Sequence, residues 1–179
     1  MIRKIIIAGI SAFSFTVYAD VSPYAGQEQR QIKALSQQEI QGLLQGHGMG
    51  LAKAGELNQY PGPKHVLELA DKLGLSREQL EQTQNLYRTM QKNAMSLGKK
   101  IINKEQQLDQ LFADKTVSEK NLKQVLLEIG QLRAELRFVH LKAHLQQKAV
   151  LSEKQVHQYV QLRGYTGSHH EHDAHKHHH

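Results

Sequence analysis

Two long stretches without proline, residues 77–112 and 119–150, most constrain the folds open to this chain. Each is long enough for a helical rod, the first about 54 Å long at ~1.5 Å per residue. Both carry apolar side chains at a spacing of seven, and only a short link, residues 113–117, joins them. A heptad seam on two linked rods predicts an antiparallel helical hairpin packed at about +20°. The seam residues are Leu80, Tyr87, Ala94, Ile101 and Leu108 on the first rod and Leu122, Ile129, Leu136, Ala143 and Val150 on the second.

Serine residues mark where helices begin. Ser36, Ser76 and Ser152 each follow an apolar residue and stand three positions before Glu or Gln, the pattern of a capping box with a hydrophobic staple. Ser118 begins a weaker version of the same pattern. A cap of this kind contributes about 1 kcal/mol. The pattern predicts helices over about 37–45, 77–112, 119–150 and 153–163, with two further short helices over about 50–57 and 63–73.

No segment alternates apolar and polar residues as a strand would. The predicted fold is therefore all-α, a long antiparallel helical hairpin with flanking short helices. Several apolar side chains lie off the seam, and one hairpin cannot cover them. Either the short helices pack there or a second chain does, and we favour a homodimer. These residues are Leu86, Ile102, Phe112, Leu126, Leu127, Phe138, Leu141 and Leu145.

The first 19 residues have the pattern of a secretory signal peptide. Residues 1–4 include two basic side chains, residues 5–17 are uncharged and mostly apolar, and Val17 and Ala19 suit cleavage before Asp20. The alternative is a membrane anchor, but 13 residues cover only about 20 Å of a ~30 Å hydrocarbon core. No later segment reaches 18 apolar residues, so no stable membrane insertion is expected. The chain has no cysteine, hence neither disulfides nor thiolate ligands, and a periplasmic location is predicted.

The chain ends in a histidine-rich tail, residues 165–179. This segment cannot bury apolar surface and is expected to be disordered without a ligand. Neutral imidazoles suit Zn, Cu and Ni, so the predicted cofactor is one of these ions rather than an organic molecule. A purification tag is the alternative, against which the interrupting Glu, Asp, Ala and Lys argue. The predicted ligands of the tail are His169, His170, His172, His175, His177, His178 and His179.

His140 and His144 form a second candidate metal site. On a helix, residues four apart lie about 5–6 Å from each other on one face, close enough for two imidazoles to share a cation. Arg133 and Arg137 lie on the same stripe and would oppose a cation, so two solvated or partner-contacting histidines are the alternative interpretation. A complete site needs further ligands, for which the chain offers His47, Met49, Glu56, His65 and His157.

Other chemistry is not indicated. The chain has no nucleophile elbow, P-loop or dinucleotide-binding glycine motif. The glycine-rich segment 46–50 follows a helix, which is typical of a helix C-cap and linker. Residues 20–163 carry 20 Lys and Arg against 15 Asp and Glu, but the acids are interspersed and no aromatic stacking set accompanies the bases. The sequence therefore predicts neither an enzyme nor a nucleic-acid-binding protein.

The segments Leu75-Ser76-Arg77-Glu78-Gln79 and Leu151-Ser152-Glu153-Lys154-Gln155 resemble the paired LTxxQ motifs of the Spy/CpxP family of periplasmic proteins, with Ser in the Thr position both times. The resemblance covers roughly residues 60–163 and extends to the related ZraP and CnrX types of heavy-metal-resistance protein. It implies a cradle-shaped antiparallel dimer that acts without ATP. Members of this family either shield unfolded periplasmic proteins or sense metal and envelope stress.

The resemblance also bears on the metal ligands. In the CnrX type a His and a Met four apart on a long helix ligate the metal, and His140 and His144 have the matching spacing. The N-terminal pair of histidines four apart in that type is not reproduced, because Leu43 and Leu51 stand at those offsets from His47.

The sequence thus predicts a signal peptide over 1–19, an N-terminal helical segment without an assigned role over 20–62, the hairpin domain over 63–164 and the tail over 165–179. The predicted function is metal binding by a periplasmic accessory protein that responds to metal or envelope stress, with a sensor protein as a further partner. The alternative is an ATP-independent holdase chaperone that prevents aggregation of unfolded periplasmic proteins.

Overall fold

The computed structural model describes residues 21–165, and within them the chain forms seven α-helices and no strand. The predicted all-α class is confirmed, as are the two long rods packed against each other. The predicted signal peptide and the tail histidines lie outside the described residues. The helices are α1 (Gln37–Gln45), α2 (Lys53–Glu56), α3 (Pro63–Glu68), α4 (Ala70–Leu73), α5 (Arg77–Ala113), α6 (Glu119–Val150) and α7 (Glu153–Leu162).

All four predicted capping boxes are present. At Ser36, Ser76, Ser118 and Ser152 the hydroxyl oxygen accepts a hydrogen bond from the backbone N–H three residues later, and the side chain at that later position accepts one from the serine N–H. The weaker pattern at Ser118 works because the short Asn121 side chain reaches the Ser118 N–H, at 2.7 Å. These contacts fix the starts of α1, α5, α6 and α7 by local chemistry alone.

Two of the short helices differ from prediction. The helix predicted over 50–57 spans only Lys53–Glu56, because Gly50 has a φ of +80° and the residues before Lys53 form turns. The helix predicted over 63–73 is interrupted at Leu69, whose backbone leaves the helical region at φ −109° and ψ 12°. Gly74 then ends α4 in the left-handed conformation that a C-cap glycine supplies.

The seam between α5 and α6 follows the heptad pattern along its middle and departs from it at one end. Leu136 and Ala143 are buried as predicted, but the other two buried residues of this half of α6, His140 and Gln147, lie off the predicted seam. The buried side of α6 is displaced here because α2 and α3 pack against it. The Gln147 amide donates to Thr83 Oγ1 at 3.0 Å and so carries a polar contact into the seam.

The N-terminal segment shares the core of the hairpin. Ile32, Leu35 and Leu43 are buried in one cluster with Ala94, Ile101 and Leu136. The backbone of α1 lies so close to α5 that a Cβ on Gly98 would overlap the carbonyl group of Leu43, at 2.7 Å from its carbon. Residues 21–62, whose role the sequence left open, therefore form a cover over the hairpin.

A second core closes the open end of the hairpin, where the two LTxxQ-like motifs meet. Here Val66 of α3 and Tyr159 of α7 are fully buried. The Gln79 amide donates to Gln155 Oε1 at 2.9 Å, and the Gln155 amide donates to Gln79 Oε1 at 3.1 Å. Each motif glutamine therefore caps its own helix and joins the other motif.

Some of the apolar residues that lie off the seam are covered by the short helices, and others are exposed to solvent. Ile102 packs against the first core and Leu141 is half-buried, as expected if the short helices cover them. The others on α6 stay open to solvent, and Phe138 and Leu127 are 63% and 62% exposed. Within the part of the chain described here, no helix is both long and apolar enough to cross a membrane.

Candidate metal centre

A cavity of about 500 Å³ lies between the N-terminal cover and the C-terminal half of α6. The 46–50 loop, α2, the start of α3, α5 and α6 all contribute to its walls. It brings His140 and His144 together with four of the five further ligands that the sequence offered. The fifth, His157, is exposed on α7 and does not line it. The metal-ligating residue types in the walls are His47, Met49, Glu56, His65, His140 and His144.

His140 is the most deeply placed of these side chains. It is only 3% exposed, and its Nε2 atom is buried without a hydrogen-bond partner. Burial, followed by the repulsion of a charge on His144, lowers the pKa of His140 to about 4. The ring is therefore neutral at neutral pH, which is the form of imidazole that binds metal ions. A solvated His140, the alternative suggested by its position beside the seam, is wrong.

His144 is held in one orientation by the backbone of the cover. Its Nδ1 lies 2.7 Å from the carbonyl oxygen of Tyr60, and its side chain is only 12% exposed. An N–H at Nδ1 that donates to this carbonyl leaves the lone pair on Nε2. Metal-bound histidines are commonly fixed in this way, with the second ring nitrogen donating to a carbonyl or a carboxylate.

Glu56 brings a carboxylate to the same place. Its Oε1 accepts hydrogen bonds from the hydroxyls of Tyr159 at 2.5 Å and Tyr165 at 3.0 Å. Burial and the contact with Glu56 raise the pKa of Tyr159, so this hydroxyl stays protonated and donates. The other oxygen, Oε2, is buried without a hydrogen-bond partner and lies 3.6 Å from His144 Nδ1. One oxygen is thus fully engaged, whereas the other is free for a cation.

The 46–50 loop contributes His47 and Met49, both of which are exposed. Gly46 caps α1 in the left-handed region as predicted, with a φ of 65°, and Met49 and Gly50 also have positive φ values. The interpretation of this segment as a plain linker missed its place at the cavity. The alternation of glycine with His and Met was the available signal, because glycines let a chain turn tightly while the residues between them stay accessible.

The charges around the cavity differ from those predicted. Arg133 does not line it, because this side chain reaches across the seam to Glu105, at 2.5 Å, and Arg137 does not line it either. The cations in the walls are Lys53 and Lys64, which are both exposed at the surface. The predicted arginine stripe therefore does not face the histidines, and the nearest guanidinium to the candidate donors is that of Arg163, whose Nε lies 3.5 Å from Glu56 Oε1.

The donors do not make a finished metal site. Among residues 21–165, no three His, Asp or Glu side chains are grouped closely enough to hold a metal ion together as they stand. Zinc in proteins usually has four ligands, or three with an open position. His140, His144 and Glu56 suit such an ion chemically, but the described part of the chain leaves its coordination incomplete.

Comparisons with protein-family models, with curated proteins and with solved structures found no match to this chain. The chemistry of the cavity itself therefore carries the functional interpretation.

Proposed function

We propose that this protein is a periplasmic metal-binding accessory protein that responds to metal or envelope stress. In this proposal Zn, Cu or Ni binds through His140 and His144 of the folded domain and through the histidines of the tail. The observation that carries the proposal is the buried, neutral His140, whose Nε2 has no partner in a cavity that also holds His144 and Glu56.

Unpartnered polar atoms support a ligand at this cavity because they are costly to bury. Leaving a buried donor or acceptor without a hydrogen bond costs about 1–3 kcal/mol. In residues 21–165 three side-chain atoms are in this state, and two of them, Glu56 Oε2 and His140 Nε2, belong to the cavity walls. Carboxylate oxygens and imidazole nitrogens are both ligands that divalent transition-metal ions accept.

Two sequence features support the proposed periplasmic location and the proposed relation to the Spy/CpxP family. The first 19 residues have the pattern of a signal peptide, and the two LTxxQ-like motifs resemble those of the Spy/CpxP family. The contact between Gln79 and Gln155 gives these motifs a structural purpose at the open end of the hairpin.

The test is the metal content and metal affinity of the mature chain, residues 20–179. We expect the wild type to bind zinc in a tight class of about one ion per chain and in a weaker class on the tail. The double variant His140→Gln/His144→Gln should lose the tight class, and deletion of residues 168–179 should remove most of the total metal. Calorimetric titration and elemental mass spectrometry measure these two quantities.

The exposed His157 provides the matched control. His157→Gln removes an imidazole from the same end of the molecule but not from the cavity, so its tight class should equal that of the wild type. Metal content that is unchanged both in the double variant and in the tail deletion would contradict metal binding by these histidines.

A second candidate function is holdase activity, which the exposed apolar surface favours. A groove of about 670 Å³ runs between α5 and α6 and is lined by Leu86, Phe138 and Val139 among others. Loose apolar contacts of this kind tolerate many client sequences. A holdase should suppress light scattering by a denaturing client protein at near-stoichiometric amounts without ATP, and scattering that is not reduced would contradict this function.

A further inference from the structure

Sulfur ligands gather at the cavity that holds the two paired histidines. The chain has four methionines and no cysteine. Two of the methionines, Met49 of the 46–50 loop and Met90 of α5, line this cavity. The thioethers thus come to the same place as the candidate imidazole ligands, although they stand far apart in the sequence.

The 46–50 loop brings Met49 next to a buried imidazole. The backbone of the loop lies over His140, because a Cβ on Gly48 would be only 3.9 Å from His140 Nδ1. Met49 follows Gly48 with a φ of 41°, in the left-handed region that few residues other than glycine adopt. Residues held in this region are concentrated at ligand-binding sites, where a particular side chain is needed at a tight turn.

Gly42 of α1 gives the Met49 thioether its place. A Cβ on Gly42 would overlap Met49 Sδ and would lie 3.2 Å from Met49 Cγ. The sulfur therefore rests against bare helix backbone, while the residue as a whole stays 48% exposed. Met90, by contrast, is only 9% exposed. One thioether thus reaches the cavity from the cover and the other from the hairpin.

The imidazoles in the same walls have nitrogen atoms to offer. His140 is nine-tenths buried or more, and its Nε2 has no hydrogen-bond partner. His144 has its Nδ1 against the carbonyl oxygen of Tyr60, which leaves the lone pair on Nε2. Two nitrogen donors and two sulfur donors therefore line one cavity.

This set of donors favours Cu(I) over Zn²⁺ and Ni²⁺. Imidazole binds all three ions, whereas thioethers are soft ligands that select Cu(I). Zinc sites are usually built from His, Cys, Asp and Glu. Among residues 21–165 no three side chains of these types are grouped closely enough for such a site. The methionine sulfurs supply donors that this grouping lacks.

The charges around the cavity also favour a monovalent ion. The described residues in its walls include one carboxylate, Glu56, and the Arg163 guanidinium already lies 3.5 Å from Glu56 Oε1. Lys53 and Lys64 line the cavity as well. Repulsion between these positive groups and a bound ion is proportional to the charge of the ion, so it is weaker for Cu(I) than for a divalent ion.

We propose that the cavity binds copper as Cu(I), held by the imidazoles of His140 and His144 together with the thioethers of Met49 and Met90. This inference rests on the proposed function, metal binding at the cavity, and adds the identity of the ion. The thioethers provide the selectivity, because Zn²⁺ and Ni²⁺ gain little from a soft sulfur ligand.

The test measures the Cu(I) affinity and the Zn²⁺ affinity of the tightest site in the mature chain, each by competition with a chromogenic chelator. The Cu(I) titrations contain ascorbate and exclude oxygen. Leucine conserves the volume of methionine and removes the sulfur. We expect Met49→Leu and Met90→Leu each to weaken Cu(I) binding at least about tenfold, the least that a disturbed ligand set usually costs, and to leave Zn²⁺ binding unchanged. The double variant His140→Gln/His144→Gln should weaken both ions.

Met95→Leu is the matched control. Met95 lies on α5 beside the same loop, since a Cβ on Gly46 would be 3.1 Å from Met95 Cγ, but it does not line the cavity. Its Cu(I) affinity should equal that of the wild type. X-ray absorption spectroscopy at one Cu(I) per chain gives a second readout. Sulfur scattering around copper should be present in the wild type and in Met95→Leu, and should be reduced in Met49→Leu and in Met90→Leu.

Gly42→Ala is the further variant if a leucine substitution prevents folding. It keeps every methionine but displaces the Met49 thioether, so it should weaken Cu(I) binding and spare Zn²⁺.

Two outcomes would overturn the inference and leave metal binding by the protein intact. One is a Cu(I) affinity that is the same in the wild type, Met49→Leu and Met90→Leu. The other is an equal loss of Cu(I) and Zn²⁺ affinity in these variants, since this would mean that the methionines support the site without binding the ion. A mature chain without a tight site for either ion would instead overturn the proposed function together with the inference.

Discussion

Gly62 determines where the imidazole of His144 can sit. A Cβ at this position would lie 2.8 Å from both Cε1 and Nε2 of His144, too close for the ring to stay in place. The Gly62 backbone has a φ of −87°, which alanine adopts freely, so the effect of Gly62→Ala falls on the ring alone. We expect this variant to weaken the tight Zn²⁺ site about 10–100-fold, the usual effect of a misplaced ligand orientation. Chelator competition measures the change.

Gly55→Ala is the matched control for this prediction. Gly55 lies in α2, on the same side of the cavity, but its Cβ would make only ordinary contacts, at 3.5 Å to Leu141 Cδ2 and 3.7 Å to His144 Cβ. Its Zn²⁺ affinity should match that of the wild type. Equal affinities for Gly62→Ala and Gly55→Ala would show that His144 does not bind the ion from this orientation.

The buried ring of His140 makes the stability of the metal-free protein depend on pH. Its pKa is about 4 in the folded protein, below the ordinary histidine value of about 6.5 in the unfolded chain. Because the pKa is lower in the folded protein, the unfolded state binds the proton at a higher pH than the folded state does. The contribution of His140 to the free energy of unfolding is therefore fully present above about pH 6.5 and is lost as the pH drops toward 4. The loss amounts to roughly 2–4 kcal/mol at 1.36 kcal/mol per pKa unit.

Urea unfolding of chelator-treated protein at pH 7.5 and pH 4.5 measures this loss. Other groups also contribute, since Glu39 and Glu68 have lowered pKa values and lose their favourable contacts in acid. The comparison is therefore between variants: His140→Leu should show a smaller acid-induced loss than the wild type, and His157→Leu the same loss. An unchanged pH dependence in His140→Leu would contradict a neutral, buried ring.

At the scale of helices, Gly98 permits the close contact between α1 and α5. Glycine inside a helix normally costs about 1 kcal/mol relative to alanine, so an Ala here would be expected to stabilise an isolated helix. The overlap with the Leu43 carbonyl, however, would push α1 off the hairpin, at a cost of about 1–3 kcal/mol or more. We expect Gly98→Ala to lower the free energy of unfolding, as measured by urea denaturation.

Gly130 of α6 is the matched control for Gly98. It is exposed, and a Cβ on it would meet nothing within 4 Å. Gly130→Ala should therefore raise the free energy of unfolding by about 0.5–1 kcal/mol through helix propensity alone. If both substitutions stabilised the protein, α1 would not lie against α5 as described.

The helix starts were predictable and the cavity was not, because the two depend on contacts of different range. A capping box such as Ser76 with Gln79 is complete within four residues, so the sequence displays it directly. The hydrogen bond of His144 joins it to Tyr60, 84 residues away, and no local pattern signals it. The heptad pattern placed His140 beside the seam, but its burial depends on α2 and α3, which pack over that side.

The set of candidate metal ligands shows the same limit of what a sequence pattern can predict. Glu56 was a candidate by residue type alone, and its two oxygens acquire different roles only when α7 brings Tyr159 and Tyr165 to one of them. The sequence therefore offered candidate ligands by residue type alone, whereas their arrangement around the cavity required the packed structure.

At the scale of the whole molecule, an apolar stripe on α6 remains open to solvent. Leu127, Phe138 and Leu145 are spaced eleven and seven residues apart, which places them on one side of the helix, and each is more than half exposed. A large side chain of this kind contributes about 1.5–3 kcal/mol when it is fully buried. The predicted homodimer would bury this stripe, and the groove beside it, against a second copy.

A charge in the middle of this stripe should separate the two copies. We expect Phe138→Glu to convert a dimer into a monomer, because two unpaired carboxylates would otherwise be buried across an apolar interface. Gln106→Glu adds the same charge at an exposed position of α5 and should leave the dimer intact. Sedimentation equilibrium of the mature chain measures the oligomeric state of both variants. Since Phe138 is exposed in the single chain, its substitution should have little effect on thermal unfolding at low protein concentration. Two results would contradict an interface on this stripe. One is a wild type that sediments as a monomer at about 100 µM, a concentration above the Kd of a stable dimer. The other is a Phe138→Glu variant that remains dimeric.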